Sequence, residues 1–212
     1  MKEYHKIEAV FKRDEQTKKV IEQYRNPTVE FLKDNIWQFT EKVDGTNIRV
    51  HWDGHKVEFG GRTDRAEIPK SLLEKLEELF GGHENEEIFE QKFGENEVIL
   101  FGEGYGPKIQ NGGLYRDDVS FILFDVQVGD LWLERKNVED IAKTFNIDIV
   151  PIIFEDTLTK AIEYVKTNPD SVIAKNGAKM EGLVGRPKVE LLDRRGNRLI
   201  VKVKWEDMKD LV

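Results

Sequence analysis

Glu41-Lys42-Val43-Asp44-Gly45-Thr46-Asn47 lies between two stretches that alternate apolar and polar residues. Trp37-Gln38-Phe39-Thr40-Glu41 precedes it and Asn47-Ile48-Arg49-Val50-His51-Trp52 follows. Both repeat with the period of two of half-buried strands. The reading is strand, tight Asp44-Gly45 turn, strand, with Lys42 projecting beside a loop rather than along a solvated helix face. A lone Lys-x-Asp-Gly is most often an exposed hairpin lysine. Deprotonated, the same amine is a nucleophile, and nearby cations or desolvation lower its pKa at ~1.4 kcal/mol per unit.

Outward from this segment, Asp53-Gly54 turns the second strand into Lys56-Val57-Glu58-Phe59. From Pro69 to Phe80 the apolar residues Leu72, Leu73, Leu76, Leu79 and Phe80 form one helical stripe, with Gly81 to stop it. Val98 to Phe101 reads as a short strand running into Gly102-Glu103-Gly104-Tyr105-Gly106-Pro107, and Val119 to Val128 as a strand buried on both faces. Two helical patterns follow, one capped by Asn137 and one carrying Leu158, Ala161, Ile162 and Val165. The end returns to strand: Gly182 to Gly185, Val189 to Leu192, an Arg194-Arg195-Gly196-Asn197 turn, and Leu199 to Trp205. Strands and helices mix without strict alternation, which predicts an α+β fold of antiparallel sheets flanked by helices.

Composition narrows the function. The 212 residues include 39% hydrophobic and 35% charged side chains, enough for a sizeable core. Zero Cys excludes disulfides, thiolate zinc sites and cysteine catalysis. No apolar run approaches the ~18–20 residues of a membrane span, and the N-terminus lacks a signal-peptide core, so the expected setting is cytoplasmic. The four His show no metal-ligand spacing. The net charge of −8 argues at first against a nucleic-acid partner. Yet residues 67–97 hold ten Asp+Glu against three Lys+Arg, whereas residues 181–212 hold eight basic against six acidic. The acidity is local, and a phosphate-handling face is compatible with it.

Four further segments carry chemistry-bearing residues. Glu103 sits between Gly102 and Gly104 at a strand end, where backbone can approach a ligand closely. The loop has neither the Gly-Lys-Ser/Thr ending of a Walker loop nor the third Gly of a dinucleotide fingerprint. Phe124-Asp125 lies within an apolar strand, and Glu181 enters another. Lys202 and Lys204 share one face of a strand whose other face carries Val201, Val203 and Trp205. Singly, each has a bland reading: a strand-ending turn, core packing for Phe124, solvated lysines on an exposed face.

Their order and spacing together resemble the covalent nucleotidyltransferase superfamily of ATP-dependent DNA and RNA ligases and messenger-RNA capping enzymes. Lys42-Val43-Asp44-Gly45 looks like motif I, Arg62 like the arginine of motif Ia, Glu103 like the glutamate of motif III. Phe121-Ile122-Leu123-Phe124-Asp125 looks like motif IIIa, Glu181-Gly182 like motif IV, and Lys202-Val203-Lys204 like motif V. Glu41 to Asn47 and the later Gly106-Pro107-Lys108-Ile109-Gln110 are closer still to phage-type RNA ligases that seal nicks in duplex RNA. The resemblance runs from about Trp37 to Trp205.

It implies a nucleotidyltransferase, ATP-grasp-like ligase domain with a nucleotide pocket between its sheets. It also implies an ATP-dependent RNA ligase in which Lys42 attacks the α-phosphate to form lysyl-AMP. The AMP then passes to an RNA 5′-phosphate, which is sealed to a 3′-OH. By the same resemblance Lys202 and Lys204 contact the α-phosphate and lower the pKa of Lys42. Glu41, Asp44, Asn47, Arg62, Glu103 and Phe124 join them in holding the nucleotide, Phe124 by stacking on adenine. Glu181 is catalytic and, with Asp44, organises the waters of a Mg²⁺ (or Mn²⁺) ion. Rival readings are a GTP-using capping guanylyltransferase, a small DNA ligase, and a non-catalytic nucleotide- or RNA-binding module. The presence together of Lys42, Glu103, Glu181, Lys202 and Lys204 argues against the last. The expected organisation is one adenylyltransferase domain over residues 1–212 with no appended C-terminal domain. RNA grip is then expected from that domain or from a partner protein. The chain departs from the family at Gly185-Arg186-Pro187, where a lysine is common after the Glu-Gly strand.

Overall fold

The computed structural model describes residues 1–175 and 177–211. In chain order, β1 (Glu8–Ala9), β2 (Phe11–Arg13) and β3 (Val20–Tyr24) lead to α1 (Pro27–Phe31). Asn26 caps that helix through a 2.9 Å bond from Thr28 N, and Pro27 stands in its first turn, where a missing N–H costs nothing. Next come β4 (Trp37–Glu41), β5 (Thr46–Trp52), β6 (Val57–Gly60), α2 (Lys70–Phe80) and α3 (His83–Phe93). They are followed by β7 (Val98–Tyr105), β8 (Ser120–Val128), β9 (Leu131–Trp132), α4 (Arg135–Thr144) and β10 (Asp148–Ile149). The chain continues through β11 (Ile152–Asp156), α5 (Leu158–Lys166), β12 (Gly182–Pro187), β13 (Val201–Lys204) and α6 (Trp205–Met208). The α+β class expected from the pattern is the class observed.

Two compact units form. One comprises Met1–Tyr4 and Asp44–Val150, the other His5–Val43 and the chain from Pro151 onward. The first holds a sheet in the order β10-β8-β7-β5-β6, with β9 pairing β8. The second holds a sheet in the order β1-β13-β12-β4-β11 and the β2-β3 ribbon. Ladders are antiparallel except at the two-residue strands β1 and β10, which pair parallel with β13 and β8.

The Asp44-Gly45 hairpin does not form. Strands β4 and β5 belong to different sheets, and the chain passes from one unit to the other at Val43 and Asp44. Gly45 is instead a close approach: a Cβ there would lie 2.3 Å from the carbonyl oxygen of Gly104. Alternation reports that each flank is a strand, and is silent about whether the two pair.

Other boundaries moved for local reasons. Helix α4 begins at Arg135, so Asn137 lies inside it, and Glu134 occupies the cap position without a side-chain bond. Residues 83–93 carry few apolar positions, yet they form α3 because Phe89 alone is buried deeply, stacked 5.6 Å from Trp52. Beyond Pro187, which can donate nothing to a ladder, Val189 to Leu192 form no strand and contribute only a bridge from Leu192 to Arg198. Nine of the ten acidic side chains of residues 67–97 are exposed on α2, α3 and their flanks, as the local-acidity reading requires.

Each unit has its own core. In the first, Leu72, Leu76 and Phe80 of α2 pack on β8, and the ring of Phe80 meets Phe89, Phe121 and Phe145 at centroid distances of 6.4, 5.4 and 5.7 Å. In the second, Trp37, Phe39, Leu183, Val201 and Val203 line one sheet face beneath Leu158, Ala161 and Val165 of α5. Phe80→Ala is expected to cost ~3–5 kcal/mol in urea unfolding, against under ~1 kcal/mol for Leu73→Ala on the exposed side of the same helix.

Candidate active site

Strands β4, β12 and β13 lie side by side, and this adjacency assembles a charged cluster from three distant parts of the chain. The amide of Lys42 donates to Gly182 O at 2.9 Å, carrying the ladder one residue beyond β4. Gly182 lies opposite Lys204. A Cβ at Gly182 would stand 2.1 Å from the Val203 carbonyl oxygen, so only glycine lets β12 and β13 close here. Glu181, one residue before, accepts from Lys42 Nζ on Oε2 at 2.6 Å and pairs with Lys204 Nζ through Oε1 at 2.8 Å. Lys202, two residues from Lys204 on the same strand, turns to the same face. Its pKa is lowered by burial first, then by the charges of Lys42 and Lys204. One carboxylate thus holds two ammonium groups, with a third lysine beside them, and the cluster carries net positive charge.

The carboxylate of Glu41 is committed elsewhere. It is buried, accepts from the Ser171 hydroxyl, and accepts from Val172 N at 3.0 Å. Ser171 Oγ in turn receives Ile173 N and Ala174 N at 3.2 and 2.9 Å. Glu41 therefore pins the 171–174 turn inside its unit.

The other unit brings together a second set. Asn47 on β5 faces Glu103 on β7 across the ladder, and its amide donates to Glu103 Oε2 at 2.7 Å. Asp44 accepts from Asn111 Nδ2 at 2.5 Å, while its amide donates to the Tyr115 hydroxyl at 3.2 Å. Arg62 is exposed, on a loop anchored from below by Arg49. That guanidinium is almost fully buried and donates to Gly61 O, Met1 O, Lys2 O and Asp64 at 2.7, 2.9, 3.2 and 2.9 Å. Arg49 is therefore an internal clamp.

Phe124 owes its position to a β-bulge. Phe101 pairs with Asp125 and Gly102 with Leu123, leaving Phe124 as the extra residue of β8. The bulge reverses alternation, so Phe121, Leu123 and Val126 enter the core while Phe124 stays outside it, half-buried. The ring thus lies outside the cluster that α2 and β8 form. Tyr4 meets Phe124 edge-on at 5.1 Å and donates its hydroxyl to the buried carboxylate of Asp125 at 2.7 Å. Downstream, Lys108 and Gln110 adopt left-handed backbone at φ 68° and 47°, tightening the loop around a Gly106 to Ile109 bridge.

Among the described residues no group of three or more His, Asp or Glu could cage a metal. A lone carboxylate such as Asp44 or Glu181 suits only a hydrated ion that keeps most of its waters and shares substrate phosphates. No described helix is long and apolar enough to cross a membrane. Sequence reading missed Tyr4, Asn111, Tyr115 and Ser171, which lie outside the motifs and matter only through partners distant in sequence.

A family model described as RNA ligase matches residues 35–204. No curated protein matches the chain. Solved structures of Naegleria gruberi RNA ligase share the fold. A mutant of that ligase with ATP and Mn matches with TM-score 0.64 at 21% identity, over 97% of this chain and 61% of that one. The ligase with PPi matches with TM-score 0.63 at 19% identity, again over 97% and 61%. An apo mutant matches with TM-score 0.61 at 22% identity over 87% and 54%. The chain thus spans 54% to 61% of the length of these relatives.

Burial holds the folded pKa of Glu41 above its ordinary value. A raised pKa means that its stabilising contribution is complete below the unfolded value, about 4.3, and is lost as pH rises through the folded one. Glu41→Gln keeps an acceptor for Val172 N and removes the charge. Its stability relative to the native chain is expected to rise with pH above about 4 and then level off, read by urea unfolding across a pH series. A difference independent of pH would sink this reading of Glu41.

Proposed function

The chain belongs to the RNA ligase family, and on that premise we propose that it is the catalytic part of an ATP-dependent RNA ligase, joining an RNA 5′-phosphate to a 3′-OH through a lysyl-AMP intermediate. The observation that carries the proposal is the convergence of Lys42 and Lys204 on the two oxygens of Glu181, with Lys202 on the same face. Phosphoryl chemistry asks the protein mainly for position and charge. Lys42 Nζ, as the free amine, forms the bond to the α-phosphorus while the bond to the bridging oxygen breaks and pyrophosphate leaves. Lys202 and Lys204 offset the charge gathering on the α-phosphate oxygens. Glu181 holds Lys42 in place before reaction.

We assign nucleotide recognition to residues of the other unit. Glu103, already accepting from Asn47, takes a ribose hydroxyl. Asn47 and Arg62 hold ribose and phosphate oxygens. The ring of Phe124, kept out of the core by its bulge, supplies a stacking face for adenine. Both units carry motif residues, so we treat residues 1–212 as one adenylyltransferase domain in function. Mg²⁺ or Mn²⁺, with Asp44 and Glu181 reaching it through water, would supply charge neutralisation on the triphosphate. We place the enzyme in the cytoplasm, with RNA grip drawn from this chain or from a partner protein.

Incubation with α-labelled ATP and Mg²⁺ is expected to leave an acid-stable label, absent in Lys42→Ala and reduced at least ~10²-fold in Glu181→Ala. Equal labelling by GTP would favour a capping enzyme, and faster sealing of nicked DNA than of nicked RNA a DNA ligase. Persistence of the label in Lys42→Ala would overturn the assignment of the nucleophile.

A further inference from the structure

The unit that carries Lys42 contains a cavity of about 330 Å³, at the lower end of the range of ligand pockets. Three separate segments wall it. His5, Lys6 and Glu8 come from the N-terminal arm, Asn26 and Val29 from the α1 region, and residues 193–201 from the turn that leads into β13. Lys6, Arg195 and Arg198 bring three permanent cations to it, with His5 as a fourth, titratable group. None belongs to the motifs assigned above.

We propose that this cavity is a phosphate site that receives a backbone phosphate of the polynucleotide strand whose end lies at Lys42. The inference rests on the RNA-joining reading. Arg198 is the floor: its side chain is only 2% exposed, a guanidinium cannot shed its charge, and Glu190 lies 3.5 Å away. Lys6 and Arg195 are exposed at the rim, where flexible cations can close on an anion.

Two carboxylates share the cavity, Glu8 and Asp193. Asp193 is turned to its own loop, accepting from Arg195 N, Asn197 N and Asn197 Nδ2 at 2.8, 2.9 and 3.1 Å. Those bonds lower its pKa and occupy its lone pairs. Glu8 is exposed on the edge strand β1. Asp193 is thus committed to its own loop, and Glu8 is the carboxylate that opposes the rim cations Lys6 and Arg195.

Chain geometry limits the distance to the catalytic cluster. Arg198 and Lys204 are six residues apart, so their Cα atoms are separated by at most ~20 Å. At ~3.4 Å per nucleotide along one strand, that corresponds to no more than about six nucleotides from the joint. The proposal therefore concerns a phosphate within about six nucleotides of the joint.

The test uses the full chain and a nicked RNA duplex bearing a 5′-phosphate, with binding read by fluorescence anisotropy between about 50 and 200 mM salt. Lys6→Ala with Arg195→Ala is expected to weaken binding ~10-fold and to reduce the salt slope by ~1–2, while ATP labelling of Lys42 is unchanged. Glu8→Gln is expected to tighten binding ~2-fold by removing a rim charge. A second arm titrates inorganic phosphate and follows the amide resonances of residues 5–8 and 193–198. Unchanged RNA affinity and slope overturn the proposal, and shifts with inorganic phosphate alone would then identify the ligand as free phosphate. Weakened RNA binding without any ATP labelling would instead remove the ligase reading and leave the phosphate site standing.

Discussion

The carboxylate of Glu181 takes an ammonium group on each oxygen, and the charged face of its sheet depends on that one group. Lys42, Lys202 and Lys204 are brought onto one face of neighbouring strands, where three like charges repel one another. A single partly buried carboxylate offsets part of that repulsion and fixes the direction of two of the side chains. The local sequence serves this arrangement. Gly182 removes the Cβ that would hold β13 away from β12, and the bond from Lys42 N to Gly182 O carries the ladder as far as Lys42. Glu181 is therefore an architectural group of this sheet.

The other unit solves a different problem, which is to present an aromatic ring and a carboxylate on the side of the sheet away from the core. A regular strand would alternate strictly. The extra residue in β8 breaks that alternation and turns Phe124 and Asp125 to the outer side, where Tyr4 contacts both. Arg49 ties the first two residues of the chain to the loop carrying Arg62. The N-terminal four residues are thus part of the scaffold around Phe124 and the loop carrying Arg62, although they lie outside every recognisable motif.

Much of the architecture was legible in the sequence because apolar periodicity reports burial directly. The α2 stripe, the α5 stripe, the buried run of β8 and the alternating flanks of Lys42 all form where the pattern puts them. Helix α3 was not legible, since its Glu-rich face leaves Phe89 as nearly the whole burial signal. The charged cluster was legible as a set of residue types in order, through resemblance. The commitment of Glu41 to Ser171 was not, because nothing in the spacing says which face of β4 becomes the interior. Arg49 illustrates the same gap: its place in an alternating strand names no partner, and only tertiary packing supplies its four acceptors.

What the sequence determined by itself was the alphabet of the site and the class of the fold: the nucleophile-type lysine, the paired lysines of β13, the carboxylates, the local character of the acidity, and an α+β chain of sheets. These follow from residue chemistry and from periods of two and 3.6, which are local properties. The tertiary structure decided which strands are neighbours. It set β4 and β5 in different sheets despite the turn-like residues between them, gave Glu181 two lysines, and let one bulge take Phe124 out of the core. Strand pairing and register are selected by burial summed over a whole sheet, and no short window of sequence contains that sum.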